Sequence, residues 1–261
     1  MSELPVTDGV YRTAPRRVSW LARTFPSLVF FLRLTFSVLR AAKKAKWSSY
    51  GGQDWVNSSL EVVQALESVG VEFEITGIDN LKKVDGPCLI VGNHMGTLET
   101  MVLPAVIQPI REVTFVVKLA LVNYPVFKHV MRSRNPIAVT QTDPRADLKL
   151  MLKGGQERLA NGVSLVVFPQ GERSSEFDPS QFNSIGVKLA GRAKVPIIPL
   201  ALQTDAWPVG SIISDVGTID PSKKVRFAFG EPLRVEGRGT EENEAIVQFI
   251  SEKLRQWQDV N

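Results

Sequence analysis

The chain has one cysteine, Cys88, and two histidines, His94 and His129, among 261 residues. A lone thiol excludes a disulfide framework and suits a reducing compartment. Long apolar runs are missing as well. The longest near the start, Phe25 to Leu32, is cut by Arg33, well short of the roughly 20 apolar residues that a membrane-spanning helix needs. Met1 to Asp8 carries proline and acid where a secretory signal carries base, so no such signal is read there. Repeats, low-complexity tracts and aromatic-basic RNA motifs are also absent. What remains is a globular composition, 44% hydrophobic and 22% charged, with a net charge of +4. Such mild basicity suits an anionic membrane surface or nucleic acid. The basic residues concentrate near the N-terminus and no RNA motif accompanies them, so nucleic acid is not expected as a partner.

The first seventy residues read as helical. Val18 to Arg40 carries Trp20, Leu21, Phe25, Leu28, Phe31, Leu32 and Phe36, and its charges are all basic: Arg23, Arg33 and Arg40, followed by Lys43, Lys44 and Lys46. Large apolar groups between purely cationic flanks suit a helix lying in a membrane interface. The alternative is a core helix with a solvated lysine face. A second helix is expected over Asp54 to Ser68, with Asp54 as its cap. From Val71 the pattern changes to alternating strands and helices. Strands are expected at 71–75, 87–91, 113–117, 137–139, 163–168 and 197–202, with an edge-like strand at 224–229. Helices are expected at 98–107, 146–160, 186–193 and 241–256, the last with Thr240 as a cap. This order predicts an α/β fold with a largely parallel central sheet flanked by helices. The one boundary falls near residue 70, dividing an N-terminal helical docking segment (1–70) from an α/β domain (71–261).

Chemistry concentrates in two segments. In Val91-Gly92-Asn93-His94-Met95-Gly96-Thr97-Leu98-Glu99, His94 follows an apolar strand and Glu99 lies five residues on. Residues five apart do not share a helix face. The pair meets only if His94 sits in the loop and Glu99 in the first helical turn. Gly96 permits a tight turn there and Thr97 offers a cap. Ligands of open α/β sheets bind outside the carboxyl ends of strands, where His94 falls. A neutral imidazole held by a carboxylate can take a proton from an alcohol. A structural histidine bonded to a backbone carbonyl is the competing reading. In the second segment, Phe168-Pro169-Gln170-Gly171-Glu172-Arg173-Ser174, Pro169 and Gly171 turn the chain sharply. Arg173 then reaches the edge that carries His94, and a guanidinium fork suits phosphate. A surface arginine paired with Glu172 or Glu176 is the alternative. Lys118, at a strand end, could approach an anionic donor. His129 has no nearby carboxylate and reads as packing or surface.

These residues resemble the glycerolipid acyltransferases, which include the 1-acylglycerol-3-phosphate and other lysophospholipid acyltransferases. The family's ordered motifs are NH-x4-D, G-x-x-x-I-x-R, FPEGTRS and a V-P-I-x-P strand. Asn93-His94 with Glu99, the Phe168 to Ser174 turn, and Val195-Pro196-Ile197-Ile198-Pro199-Leu200 match in order, over roughly residues 70 to 235. The resemblance implies a catalytic pair, His94 as general base and Glu99 as its orienting acid. For substrate binding the resemblance implies Arg173, Gly171 and Pro196, and Asn93, Ser174, Lys118 and Arg145 complete the expected set, with a solvated lysine the alternative for Lys118. Arg173 holds the acceptor's phosphate, Gly171 shapes the turn and Pro196 lines the cleft. No metal or bound cofactor is implied. Acyl-CoA or acyl-carrier protein is the co-substrate, a membrane lipid the acceptor, and the cytoplasmic face of a membrane the location, with peripheral or monotopic contact through the N-terminal helices.

Three departures stand out. Glu99 replaces aspartate, Gln170 and Glu172 alter the third motif, and Gln141 stands where the second motif has arginine, with Arg145 or Arg134 as possible substitutes. They leave acyl transfer intact in principle and bear on the acceptor headgroup. A lipid-binding protein of the same fold with altered catalysis is the alternative reading.

Overall fold

The computed structural model describes residues 3–259; Met1 and Ser2, the start of the proline-containing stretch, lie outside them. At its centre is an eight-stranded sheet. In chain order its strands are β1 (Tyr11–Arg12), β2 (Phe73–Thr76), β3 (Leu89–Gly92), β4 (Val113–Lys118), β5 (Ile137–Val139), β6 (Ser164–Val167), β7 (Ile197–Gln203) and β8 (Val225–Phe229). Their spatial order is β1-β2-β8-β7-β3-β6-β4-β5. The block β7-β3-β6-β4-β5 is parallel throughout. β8 pairs antiparallel with β7, and β1 antiparallel with β2. The sheet is therefore largely parallel, as the alternation of elements predicts.

Helices cover both faces. α3 (Gly52–Ser68) and α4 (Leu98–Ile107) pack on one face over Ile90, Val166, Ile198, Leu200 and Phe227. α7 (Pro144–Ala160), α8 (Ile185–Ala193) and α9 (Thr240–Gln258) cover the other, over Leu89, Val91, Leu165, Val167 and Ala201. Successive strand residues thus feed opposite cores, which requires apolar residues at every position. That requirement explains the unbroken runs of β3 and β6.

Several sequence expectations need correction. The helix expected over Val18 to Arg40 is two: α1 (Trp20–Thr24) and α2 (Pro26–Trp47). Pro26 lacks an N–H and pushes Phe25 off the helical region, to φ −131° and ψ 60°. Ser19 caps α1 by accepting from Ala22 N. Asp54 is not the cap of α3; it sits in the first turn and its carboxylate accepts from Gly51 N at 3.0 Å. Thr240 is the first residue of α9 rather than its cap, which is Gly239 at φ +77°. The strand at 224–229 is not an edge. β8 lies between β2 and β7 with all five residues buried. Its one charge, Arg226, donates from Nη1 to Gln203 Oε1 at 2.7 Å and faces the Glu74 carboxylate of β2 at 4.0 Å.

The first seventy residues are not a separate body. β1 extends the sheet, and Phe30, Trp55 and Val63 belong to the same core cluster as Ile90 and Phe227. α2 nonetheless keeps an outward face. Phe30 and Ser37 are its buried residues, while Leu28, Leu32, Phe36 and Leu39 form an exposed row at helical spacing, Phe36 being 68% exposed. Between α4 and α7, α5 (Leu119–Asn123) and α6 (Lys128–Ser133) are short; His129 lies in α6, half-buried.

Candidate active site

Just past the carboxyl end of β3, the chain leaves the sheet with two residues of opposite purpose. The Asn93 side chain is buried, and its amide bonds the backbone of Leu202 twice: Nδ2 donates to the carbonyl at 2.9 Å and Oδ1 accepts from the N–H at 2.8 Å. Through both ends of its amide, Asn93 ties β3 to β7. His94 then turns out of the sheet. Nδ1 of His94 lies 2.9 Å from Glu99 Oε1. An ionised carboxylate only accepts, so Nδ1 is the donor, and in a neutral ring the lone pair falls on Nε2. Phe168 stacks on the imidazole, with centroids 4.4 Å apart and planes 4° from parallel.

Glu99 is fully buried on the first turn of α4. Besides His94, Oε1 accepts from Met95 N and Gly96 N, both at 2.7 Å. Oε2 accepts from Thr204 Oγ1 at 2.8 Å. Burial pushes this carboxyl up, but the hydrogen bond and charge of His94 and the backbone donors outweigh it and hold the group below the usual glutamate value. The helix start is thus capped by Glu99 itself. Thr97 is not the side-chain cap the sequence suggests, because its hydroxyl donates instead to Asp215 Oδ1 at 2.6 Å. Gly96 serves by close approach, since a Cβ there would meet Trp207 O at 3.2 Å.

The second motif segment closes on the first. Ser174 N donates to His94 O at 2.9 Å, and Gln170 Oε1 accepts from His94 N at 2.9 Å. The glutamine that departs from the family pattern therefore holds the backbone of the histidine. Gly171 adopts φ +77°, a left-handed turn that favours glycine. Arg173 reaches the same cluster, and both of its bonds leave through Nη1: to Thr97 Oγ1 at 3.0 Å and Asp215 Oδ1 at 2.6 Å. Its carboxylate partner is Asp215, not Glu172 or Glu176. Gln141, at φ +61°, donates from Nε2 to Gly171 O at 3.0 Å, so it braces the turn.

The remaining residues fall elsewhere. Pro196 precedes β7 at the amino-terminal edge of the sheet, where its carbonyl accepts from Leu89 N at 3.0 Å. Parallel strands put that edge opposite His94, so Pro196 does not line the cleft. Lys118 ends β4 on the same carboxyl edge as His94, exposed and two strands away. Arg145 lies on α7 in a shallow groove with Leu148, Lys149 and Arg192, apart from the His94 cluster. Arg134 stacks over the Trp55 ring. Neither arginine hydrogen-bonds to the residues that surround His94 and Arg173. Sequence reasoning missed Thr204, Asp215 and the stacking of Phe168. Phe168 was visible in its motif, whereas nothing local marks the other two.

The arrangement is a buried acid hydrogen-bonded to an imidazole, beside an arginine-bearing turn at the carboxyl end of strands in an α/β sheet. The Acyltransferase family model matches residues 72–203, just over half of the chain, and the chain belongs to that family. It is an acyltransferase. Among curated proteins it is similar to the 1-acyl-sn-glycerol-3-phosphate acyltransferase of Pseudomonas aeruginosa, 27% identical over 207 residues, covering 77% of this chain and 76% of that one. The human 1-acyl-sn-glycerol-3-phosphate acyltransferase beta is 28% identical over 195 residues, covering 70% of this chain and 66% of its own. In fold the chain resembles the crystal structure of the 1-acyl-sn-glycerophosphate acyltransferase PlsC of Thermotoga maritima. The TM-score is 0.65 at 18% identity, over 89% of this chain and 94% of that one.

Proposed function

We propose that the protein acylates a hydroxyl of a lysophospholipid, with His94 as general base and an acyl thioester, acyl-CoA or acyl-carrier protein, as donor. The observation that carries this reading is the His94–Glu99 pair, in which Nδ1 is fixed at 2.9 Å and Nε2 is left to accept a proton. The curated relatives above act on 1-acyl-sn-glycerol-3-phosphate by name, and Arg173 supplies a cation suited to that phosphate. His94 Nε2 takes the proton of the acceptor hydroxyl as its oxygen attacks the thioester carbonyl. Glu99 steadies the imidazolium that forms. The C–S bond then breaks, the thiolate leaves, and the imidazolium returns the proton to sulfur. This route needs no metal or bound cofactor.

Docking on a membrane fits the same reading. No described helix is long and apolar enough to cross a membrane. The row Leu28, Leu32, Phe36 and Leu39 on α2 is exposed, as are Trp20 on α1 and Trp47 at the end of α2. Arg16, Arg17 and Arg33 line a hollow of about 420 Å³ beside it. Apolar side chains flanked by cations match the interior and the anionic surface of a lipid layer. We take the cytoplasmic face as its location, in keeping with the lone buried thiol.

The test is thiol release with acyl-CoA and acyl-carrier protein donors across a panel of lysolipids. Wild type should release thiol, and His94→Ala should lower turnover at least about 100-fold. Full turnover by His94→Ala would overturn the assigned role. Lipid binding without any thiol release would favour the non-catalytic reading.

A further inference from the structure

The cation that the proposed function reserves for phosphate is already engaged. Asp215 Oδ1 accepts from Arg173 Nη1 and from Thr97 Oγ1, each at 2.6 Å. Asp215 belongs to the connection between β7 and β8, residues 204–224, far longer than the two to five residues a hairpin needs. The base of this connection is fastened. Ala206, Trp207 and Ile219 are buried, Asp220 N donates to Ala206 O at 2.9 Å, and Lys223 pairs with Asp205 at 2.9 Å. The tip is wound on itself. Gly210 N donates to Ser214 O at 3.1 Å and Val216 N to Ile213 O at 2.8 Å, while a Cβ on Gly217 would lie 1.9 Å from Pro208 O. It presents apolar side chains to solvent: Ile212, 95% exposed, with Val209, Ile213 and Val216.

We propose that Asp215 stands in for the acceptor's phosphate, holding Arg173 and Thr97 until an anionic headgroup displaces it, while Ile212 and Ile213 enter the lipid layer and draw the loop outward. The inference rests on Arg173 being the phosphate ligand. A carboxylate and a phosphate compete for the same donors, and the phosphate brings more charge and more acceptor oxygens. A headgroup without an anion cannot make the exchange, so the Asp215 contact acts on anionic acceptors alone, as a competitor for Arg173 and Thr97. Burial pushes the Asp215 carboxyl up, but the bonds from Thr97 and Arg173 and the arginine's charge leave it below the usual range. It is therefore an anion at neutral pH, and the exchange leaves the charge facing Arg173 negative throughout.

The lipid contact follows from where the loop is anchored. Trp207 packs edge-on against Phe30 and Phe31 of α2, with centroids 4.9 and 5.9 Å apart. Ile219 N donates to Ser27 Oγ at 2.9 Å. The loop base is thus fixed to the helix whose apolar row is exposed, so one lipid surface can receive both. Trp207 Nε1 also donates to Asp215 O at 3.2 Å, which places a fluorophore against the moving residue.

The experiment uses the full chain with Asp215→Ala, Asp215→Asn, Ile212→Ser/Ile213→Ser and the combined variants. Thiol release is measured with 1-acylglycerol 3-phosphate in vesicles and dispersed in detergent, and with monoacylglycerol as the acceptor lacking phosphate. Inorganic phosphate is titrated separately against tryptophan emission, with Trp207→Phe as the blank that assigns the signal to Trp207 among the five tryptophans. Removing a pair of this exposure should lower KM for the phosphate acceptor up to about fivefold and leave kcat within about twofold. It should tighten inorganic phosphate binding by a similar factor and leave monoacylglycerol unaffected. The isoleucine variant should raise KM on vesicles but not in detergent, and Asp215→Ala should remove that penalty. An unchanged or raised KM in both Asp215 variants overturns the inference. So does a vesicle penalty that persists without Asp215. Arg173→Ala separates the two levels: unchanged KM for the phosphate acceptor refutes both the phosphate reading and the inference. Raised KM with inert Asp215 variants refutes the inference alone. Phosphate that perturbs Trp207 without altering acceptor KM shows free-anion binding only and also overturns it.

Discussion

Thr204 reaches from the end of β7 to Glu99, its hydroxyl donating to Oε2 at 2.8 Å. Oε1 meanwhile takes His94 and two backbone N–H groups. Every oxygen of this buried acid is therefore engaged, which is what lets an ion persist without solvent. Thr204→Val keeps the shape and removes one donor. It should raise the Glu99 pKa and lower stability by about 1–3 kcal/mol, with a smaller loss of kcat than Glu99→Ala. Urea unfolding with pH–rate profiles checks this.

Glu99→Gln should fold yet lose at least about 100-fold in kcat. The amide can donate where the carboxylate only accepted, so it stabilises the wrong imidazole tautomer. Thiol release and circular dichroism measured together would decide; wild-type kcat in a folded Glu99→Gln protein contradicts the pairing.

The Glu99 carboxyl is held below its ordinary value of 4.5 in the folded chain. Between that native value and 4.5 the unfolded state binds more protons, so stability rises with pH there. The contribution is fully present above pH 4.5 and is lost as pH falls through the depressed native value. Asp215 adds a similar term on its own, lower scale. Denaturation of wild type and Glu99→Gln across pH 3 to 7 should show the wild type losing more stability on acidification, with the excess loss confined below about pH 4.5.

Asn93→Ala strips the partners from a buried backbone N–H and carbonyl of Leu202. Each orphaned group costs about 1–3 kcal/mol. Thermal unfolding should fall by several degrees, and the catalytic defect should follow loss of fold. Pro196→Ala, at the far edge of the sheet, should leave KM for both substrates unchanged in steady-state assays.

Leu32→Ser/Phe36→Ser removes two exposed side chains from α2. Neither is in the core, so the melting temperature should shift little. Each apolar side chain transferred into lipid contributes about 1.5–3 kcal/mol when fully buried, so vesicle flotation should weaken at least about tenfold. Unchanged flotation would exclude this face as the docking surface.

Local pattern carried much of the fold. α4 spans Leu98–Ile107 and β5 spans Ile137–Val139, as the apolar pattern indicates. The meeting of His94 with Glu99 was legible because a loop-to-helix step is the one local geometry that closes five residues. Less legible were features in which a long-range partner changes a residue's meaning. β8 alternates like an edge strand, yet lies inside the sheet, where its neighbours β7 and β2 supply Gln203 and Glu74 to Arg226. Thr97 has the chemistry of a cap but is recruited by Asp215, more than one hundred residues away in sequence. Gln170 looks like a lost acid and turns out to hold His94 N.

Hydrophobic period and turn chemistry in the sequence determined which segments are strands, which are helices, and that an imidazole leaves a strand end with an acid one turn later. Those are short-range choices, governed by backbone sterics and the burial of neighbouring side chains. The order of strands decided the rest. It set Pro196 on the edge away from His94, brought Thr204 to Glu99, and laid Asp215 on Arg173. Such contacts join residues far apart in the chain, and only the joint packing of two cores on one sheet selects them over every other pairing the same residues could make.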